Sequence, residues 1–204
     1  MKYYELATLF LPMGTAPRAV EGVPAFAAEG QGRLLGMWMV DIGRLNRMLV
    51  LRGFDDAGSL LAERKRTHES TSPFNCGDVL ADLSLDSYEP FPFMPPVEPG
   101  QYGGVYEFRT YPFRIGGGYP ETAAKWETAL PRREAHSKCL IAMRALDGRP
   151  RFTNIWPYAD IAARSKARAD SVAAGIWPPK GGPDWLKSDM ESTIALPVAG
   201  SPLT

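Results

Sequence analysis

The 204-residue sequence predicts an α+β fold, with two tandem ferredoxin-like β-α-β-β-α-β units packing sheet to sheet as a pseudo-dimeric α+β barrel. Three observations lead there. The chain repeats itself across its midpoint: Tyr4-Glu5-Leu6-Ala7-Thr8 returns as Tyr106-Glu107-Phe108-Arg109-Thr110, and Gly43, Leu51 and Asp55 return in order as Gly148, Trp156 and Asp160. In each half, strand-like alternation and helix-like spacing follow one another in the same order. Between the halves, Pro95 to Gly104 is rich in Pro, which lacks a backbone donor, and Gly, which loses much entropy on ordering. The first unit is therefore placed at 1–96, a linker at 97–104 and the second unit at 105–204.

The second unit reads most clearly. Val105 to Phe113 alternates, with Tyr106, Phe108 and Thr110 on one side and Val105, Glu107, Arg109 and Tyr111 on the other, which is a strand. Gly116-Gly117-Gly118 ends it. Pro120 suits the first turn of a helix, where its missing N–H is not needed, and Ala123, Trp126 and Leu130 share one helical face before an expected end near Pro131. Cys139 to Leu146 is apolar enough for a strand, Asp147-Gly148 is a hairpin turn, and Arg151 to Trp156 returns. Asp160 is an N-cap for a helix through Ile161, Ala162 and Ser165 to about Val172, and Ser192 to Val198 is the last strand. The first unit follows the same plan. Strand Tyr3 to Leu11 leads to a Pro24-interrupted helix from about Thr15, then strands Leu34 to Val40 and Asn46 to Arg52 joined at Asp41-Ile42-Gly43. Asp55 or Asp56 caps a helix burying Leu60 and Leu61, and a strand from about Tyr88 to Phe93 closes the unit. One face of each sheet lies under its helices; the bare faces cover each other.

Composition removes whole classes of function. Lys plus Arg and Asp plus Glu each number 23, so the formal charge is zero and the cationic surplus that a nucleic-acid partner requires is missing. Two distant cysteines and two histidines supply neither a disulfide framework nor a metal site, and no cofactor is expected. The apolar run Leu6 to Met13 is too short for a bilayer and follows Glu5, so a cytoplasmic protein without a membrane partner is expected. There is no nucleophile elbow, and Gly116-Gly117-Gly118 lacks the Lys-Ser/Thr of a phosphate loop. Association into homo-oligomers stays open, because paired sheet faces leave edges and helices available.

Val105-Tyr106-Glu107-Phe108-Arg109-Thr110-Tyr111, Lys125-Trp126-Glu127, Leu130-Pro131 and Asn154-Ile155-Trp156-Pro157-Tyr158-Ala159-Asp160 with Arg164 resemble the NIPSNAP family over about residues 105 to 200. The first half departs from that pattern, with Ala7, Leu9, Leu51 and Gly53 at the places aligned with Arg109, Tyr111, Trp156 and Tyr158. The resemblance implies a dimeric α+β barrel, a fold that hosts cofactor-independent monooxygenases, isomerases, heme-associated enzymes and members without known activity. Fold alone does not choose among them.

The ligand-binding candidates are Glu107, Arg109, Tyr111, Asn154, Trp156 and Tyr158. Glu107 and Arg109 lie two apart on a strand and share a face, expected to be the barrel interior, where the pair could bind a polar group, accept a proton or simply fix register. Asn154, Trp156 and Tyr158 alternate along the third strand and could line a cleft for a flat molecule or pack beneath a helix. His68 and His136 sit in charge-rich helix ends, which suits solvated residues better than proton shuttles or heme ligands. Trp177 to Trp185 frames a Pro/Gly loop suited to a lid, a subunit contact or a barrel plug. Two functions compete. One is binding of a small apolar or aromatic molecule in the barrel cleft, with cofactor-independent chemistry; the other is a non-enzymatic scaffold with a fully packed barrel.

Overall fold

A computed structural model of the protein describes residues 1–116, 118–179 and 186–204. The first half comprises β1 (Tyr3–Phe10), α1 (Ala16–Ala28), β2 (Arg33–Ile42), β3 (Arg47–Phe54), α2 (Ala57–Glu69), a single 3-10 turn at Pro73–Asn75 and β4 (Asp82–Pro90). In the second half come β5 (Val105–Pro112), α3 (Tyr119–Glu134), β6 (Ile141–Ala145), β7 (Arg151–Tyr158), α4 (Ile161–Ala173) and β8 (Glu191–Pro197). All neighbouring strands are antiparallel and close into one barrel in the order β1-β3-β2-β8-β5-β7-β6-β4. The β-α-β-β-α-β order thus occurs twice, and closure pairs the edges of the two sheets with each other.

Inside the barrel, one row of every strand meets the others: Tyr4 and Leu6, Trp38 and Val40, Leu49 and Leu51, Tyr106 and Phe108, with Ile141, Met143 and Ile155. Trp38 of β2 packs against both Tyr106 and Phe108 of β5, with ring centroids 5.1 and 5.2 Å apart, so the halves share this core. The outer faces are covered separately. Phe26, Phe74, Met37 and Val50 pack between sheet and helices in the first half, and Trp126, Phe152 and Trp156 do so in the second. Residues 97–104 run across one end of the barrel. Val97 is buried in the shared core with its N–H on the Tyr4 hydroxyl, and a Cβ on Gly103 would collide with the Tyr158 carbonyl oxygen.

Several local expectations shift. Leu60 is buried but Leu61 is 63 % exposed, because the inward stripe of α2 is Leu60, Glu63 and Thr67. Strand β4 starts at Asp82, earlier than expected, since its polar inward row of Ser84 and Asp86 obscures the alternation. Helix α3 passes through Pro131 to Glu134; proline removes one donor there, and Arg133 is still buried on the inner face. Asp56 and Asp160 are the matching caps, each accepting a backbone N–H three residues on, from Ser59 and Ala163. The alignment of Asp55 with Asp160 is therefore corrected by one residue. Glu5 pairs across the sheet with Arg52, and Glu107 with Trp156, so Trp156 occupies the place of Arg52, not Leu51.

Candidate functional site

Register decides where the candidates face. Glu107 lies opposite Trp156, Arg109 opposite Asn154 and Val105 opposite Tyr158, which puts all six candidates on one sheet face. That face is the outer one, under α3 and α4, and not the barrel interior expected for Glu107 and Arg109: the interior row of β5 is Tyr106 and Phe108. Both faces of the strand are covered, so alternation alone cannot tell them apart.

Glu107 is fully buried and gathers cations from two elements. Its Oε1 accepts from Arg109 on its own strand and from Arg164 on α4, both at 2.6 Å, and from the Ser192 hydroxyl at 2.7 Å. Arg168, one turn beyond Arg164, approaches Oε2 at 3.8 Å. Burial alone would raise the Glu107 carboxyl, but the Arg164 hydrogen bond, the Arg109 charge and Ser192 outweigh it and hold the group at about 2. Arg168 responds in the opposite sense: burial and repulsion from Arg109 and Arg164 push it below the usual guanidinium range. Among the described residues, three guanidiniums thus share one carboxylate, and the surplus of positive charge is half-buried.

Arg109 and Arg168 face a groove of about 350 Å³ between the outer sheet face, α3 and α4. Trp126 and Tyr111 are part of its lining, and the Tyr111 hydroxyl accepts from Arg109 Nε. Val172, Trp177, Pro178, Pro179, Leu186 and Met190 supply an apolar wall, and Thr122 and Lys125 complete the α3 side. Trp177 stands edge-on to Trp126, with centroids 4.8 Å apart, and contacts Trp156 at 5.9 Å. Residues 180–185, with Trp185, lie outside the described residues, as does Gly117.

Of the six candidates, Arg109 and Tyr111 line the groove. Glu107 lies beneath it and holds the arginines. Asn154 and Trp156 form a buried layer under them: Trp156 Nε1 donates to Asn154 Oδ1 at 2.6 Å, and Asn154 Nδ2 donates to the Arg109 carbonyl at 3.2 Å. Tyr158 is farther off, its hydroxyl accepting from Arg133 at 3.5 Å. Sequence reasoning missed Arg168 and the groove-facing side of Trp126, and met Arg164 only as part of the family resemblance, without a place in the site. The available signal was an Arg pair at i, i+4 on α4, beside the small inward residues Ala167 and Ser171.

Neither His68 nor His136 lines the groove, and no cysteine does. Met190 is 41 % exposed and the Tyr111 hydroxyl is tied to Arg109, so the donor set does not fit an iron porphyrin, which needs a committed axial ligand. Among the described residues, no group of three or more His, Cys, Asp or Glu is placed to hold a metal ion, and no helix is long and apolar enough to cross a membrane.

No curated protein matches the sequence. Among solved structures, a protein of Lactobacillus acidophilus NCFM provisionally assigned as a monooxygenase has a TM-score of 0.67 at 11 % identity, over 97 % of this chain and 94 % of that one. An anthrone oxidase-like protein gives 0.64 at 12 % identity, over 99 % and 94 % of the two chains. A heme-binding protein from Thermus thermophilus gives 0.56 at 14 %, over 97 % and 91 %. These likenesses establish the α+β barrel fold. The NIPSNAP family model matches residues 4–73 and 106–202, most of both halves, and the chain belongs to the NIPSNAP family.

Proposed function

We propose that the protein binds a small aromatic or apolar molecule carrying an acidic group, in the groove on the helix-covered face of its second half. The observation that carries this reading is the convergence of Arg109, Arg164 and Arg168 on the single carboxylate of Glu107 beside an apolar wall. A carboxylate entering the groove would offset the surplus charge, and its ring would lie among Trp126, Trp177 and Val172. A flat occupant is in keeping with the anthrone named for one neighbour, although 12 % identity carries the fold alone.

The same geometry argues against Glu107 as a proton acceptor. A carboxylate held at about 2 is a weak base at neutral pH, and its neighbours are permanently protonated arginines. Binding and orientation of the ligand are what this constellation does best. Any chemistry would draw on the ligand's own reactivity beside the apolar wall of the groove, without a cofactor supplied by the protein.

Calorimetric titration tests the reading with two probes of one shape, naphthalene-2-carboxylate and naphthalene-2-methanol. The carboxylate should bind more tightly, and Arg168→Gln should weaken it about ten-fold while leaving the alcohol unchanged, as loss of a charge-assisted hydrogen bond requires. Trp177→Ala should weaken both. Absence of binding by either probe, or equal affinities insensitive to Arg168→Gln, would refute the proposal.

A further inference from the structure

The barrel interior is polarised along its axis. At one end Tyr4, Leu51, Leu140, Val97 and Leu203 close it with apolar side chains. Toward the other end the inward rows of five strands turn polar, while those of β2 and β6 stay apolar through Val40 and Met143. Leu6 gives way to Thr8 on β1, Phe108 to Thr110 on β5, Ile155 to Thr153 and Arg151 on β7, and Ala195 to Thr193 on β8. On β4 the row runs Tyr88, Asp86, Ser84, Asp82. The result is a cup of about 400 Å³, fed by both halves and distinct from the helix-covered groove.

Solvation of an open mouth explains the outermost charges but not the depth of the polar layer. Thr153 is 1 % exposed, yet its hydroxyl is hydrogen-bonded to the Tyr88 hydroxyl at 3.1 Å and to Thr110 at 2.9 Å, an ordered chain of hydroxyls in the barrel wall. Asp86 beside it accepts from Arg151 at 2.8 Å, and burial raises its carboxyl above the usual range despite that arginine. Charge is also close to balanced here, in contrast to the groove. Arg44, Arg47, Arg149 and Arg151 line the cup together with Asp82, Asp86 and Glu191, Asp147 and Asp189 pair with Arg151 and Arg149 from outside that lining, and the Arg47 guanidinium lies 4.1 Å over the Phe10 ring. No cationic surplus like that of the groove is left to draw in an anion. The floor remains apolar, with Leu6, Leu49 and Phe108 beneath the hydroxyls.

We infer that this cup is a second binding site, for a neutral polyhydroxylated molecule of monosaccharide size. Such a molecule presents C–H faces to an aliphatic and aromatic floor and hydroxyls to a ring of hydroxyls and nearly balanced charges, and it needs no counter-charge. The two sites differ in chemistry: the groove takes an acid, the cup a neutral polyol.

The test is nuclear magnetic resonance of the full-length protein with labelled threonine methyl groups, titrated separately with D-glucose, D-galactose, myo-inositol and, as an anionic probe, acetate. At least one neutral probe should shift Thr110, Thr153 and Thr193 saturably, with an affinity on the order of 1 mM. Thr153→Val, which keeps the volume, and Asp86→Asn should each weaken that binding about five-fold, as loss of one or two hydrogen bonds requires, while Arg168→Gln in the groove leaves it unchanged. Unshifted cup threonines with all three neutral probes, or shifts with acetate alone, would overturn the proposal. So would shifts that persist in both cup variants.

Discussion

The two halves carry the same frame and treat buried charge in opposite ways. In the first, Glu5 meets Arg52 across the sheet at 2.6 Å, Arg52 reaches Glu63 on α2 at 3.0 Å, and Arg66 closes the set on Glu63 at 2.8 Å. Two carboxylates face two guanidiniums, and Phe74 lies beneath the Arg52 guanidinium, 5.1 Å away. The second half keeps the strand glutamate, Glu107, but Trp156 stands in place of Arg52 and Ala167 in place of Glu63. Two of its arginines come instead from positions that are apolar in the first half, Arg109 for Ala7 and Arg164 for Leu60, while Arg168 matches Arg64, which in the first half pairs with Ser87 and Asp147. What was a closed, neutral network has become an open, cationic one. The difference teaches that the glutamate belongs to the shared frame, whereas the added arginines give the second half its cationic surplus beside the groove.

The largest effect should come from breaking the closed network. Arg52→Met would leave Glu5 buried without a partner and Glu63 dependent on Arg66, and removing one member of such a buried set costs about 3–5 kcal/mol. Arg168→Gln should change stability by no more than about 1 kcal/mol, because Glu107 keeps Arg109 and Arg164 and one repulsive neighbour is gone. Urea unfolding of the two variants at neutral pH decides the matter. Equal losses would make Arg168 as structural as Arg52 and erase the contrast.

The next effect reads the same contrast through pH. Glu107 is held at about 2 in the folded protein against 4.5 for an ordinary glutamate. A depressed carboxyl contributes stability that is fully present above its unfolded value and is lost as pH falls through the folded one, so the loss should run from about 4.5 down to about 2. Its size is at most roughly 3 kcal/mol. Asp86 acts with the opposite sign, since its raised carboxyl favours the folded state at low pH and that contribution is lost as pH rises. Comparing wild type with Glu107→Gln cancels Asp86. The variant should show a flatter fall in unfolding free energy below pH 4.5, and identical slopes would mean that the arginines do not hold Glu107 down.

Much of this frame was legible in the sequence. The alternation of Val105 to Phe113, the cap at Asp160 and the repeated Tyr-Glu string were sufficient for the order of elements and the closure into a barrel. Facing was not legible, for a physical reason. In a sheet covered on both sides each row of β5 is half apolar, so Glu107 and Arg109 looked like an interior pair, while Thr110 and Thr153, the residues that do line the barrel, looked unremarkable. Nor could periodicity find the groove. It depends on Arg164 and Arg168 of α4 meeting a strand glutamate far away in sequence, and on Ala167 being small enough to leave room.

The smallest predicted effect tests whether the two helices over these networks are equivalent. Asp56 caps α2 by accepting from Ser59 N–H at 2.9 Å, and Asp160 caps α4 by accepting from Ala163 N–H at 2.7 Å. Helix α2 is also anchored from its inner face by Leu60, Glu63 and Thr67, whereas α4 buries only Ala167 and Ser171 and reaches the sheet through arginines. Asp56→Ala and Asp160→Ala should therefore lower the thermal midpoint by similar small amounts, each well short of Arg52→Met. Only Asp160→Ala should also weaken naphthalene-2-carboxylate, by about two-fold, because the first turn of α4 sets where Arg164 and Arg168 stand. If neither cap affected the probe, the position of α4 would be fixed by its ion pairs alone, and the cation surplus over Glu107 would act as a tether before it acts as a site; if both did, the two helices would be coupled through the barrel and the contrast between them would fail.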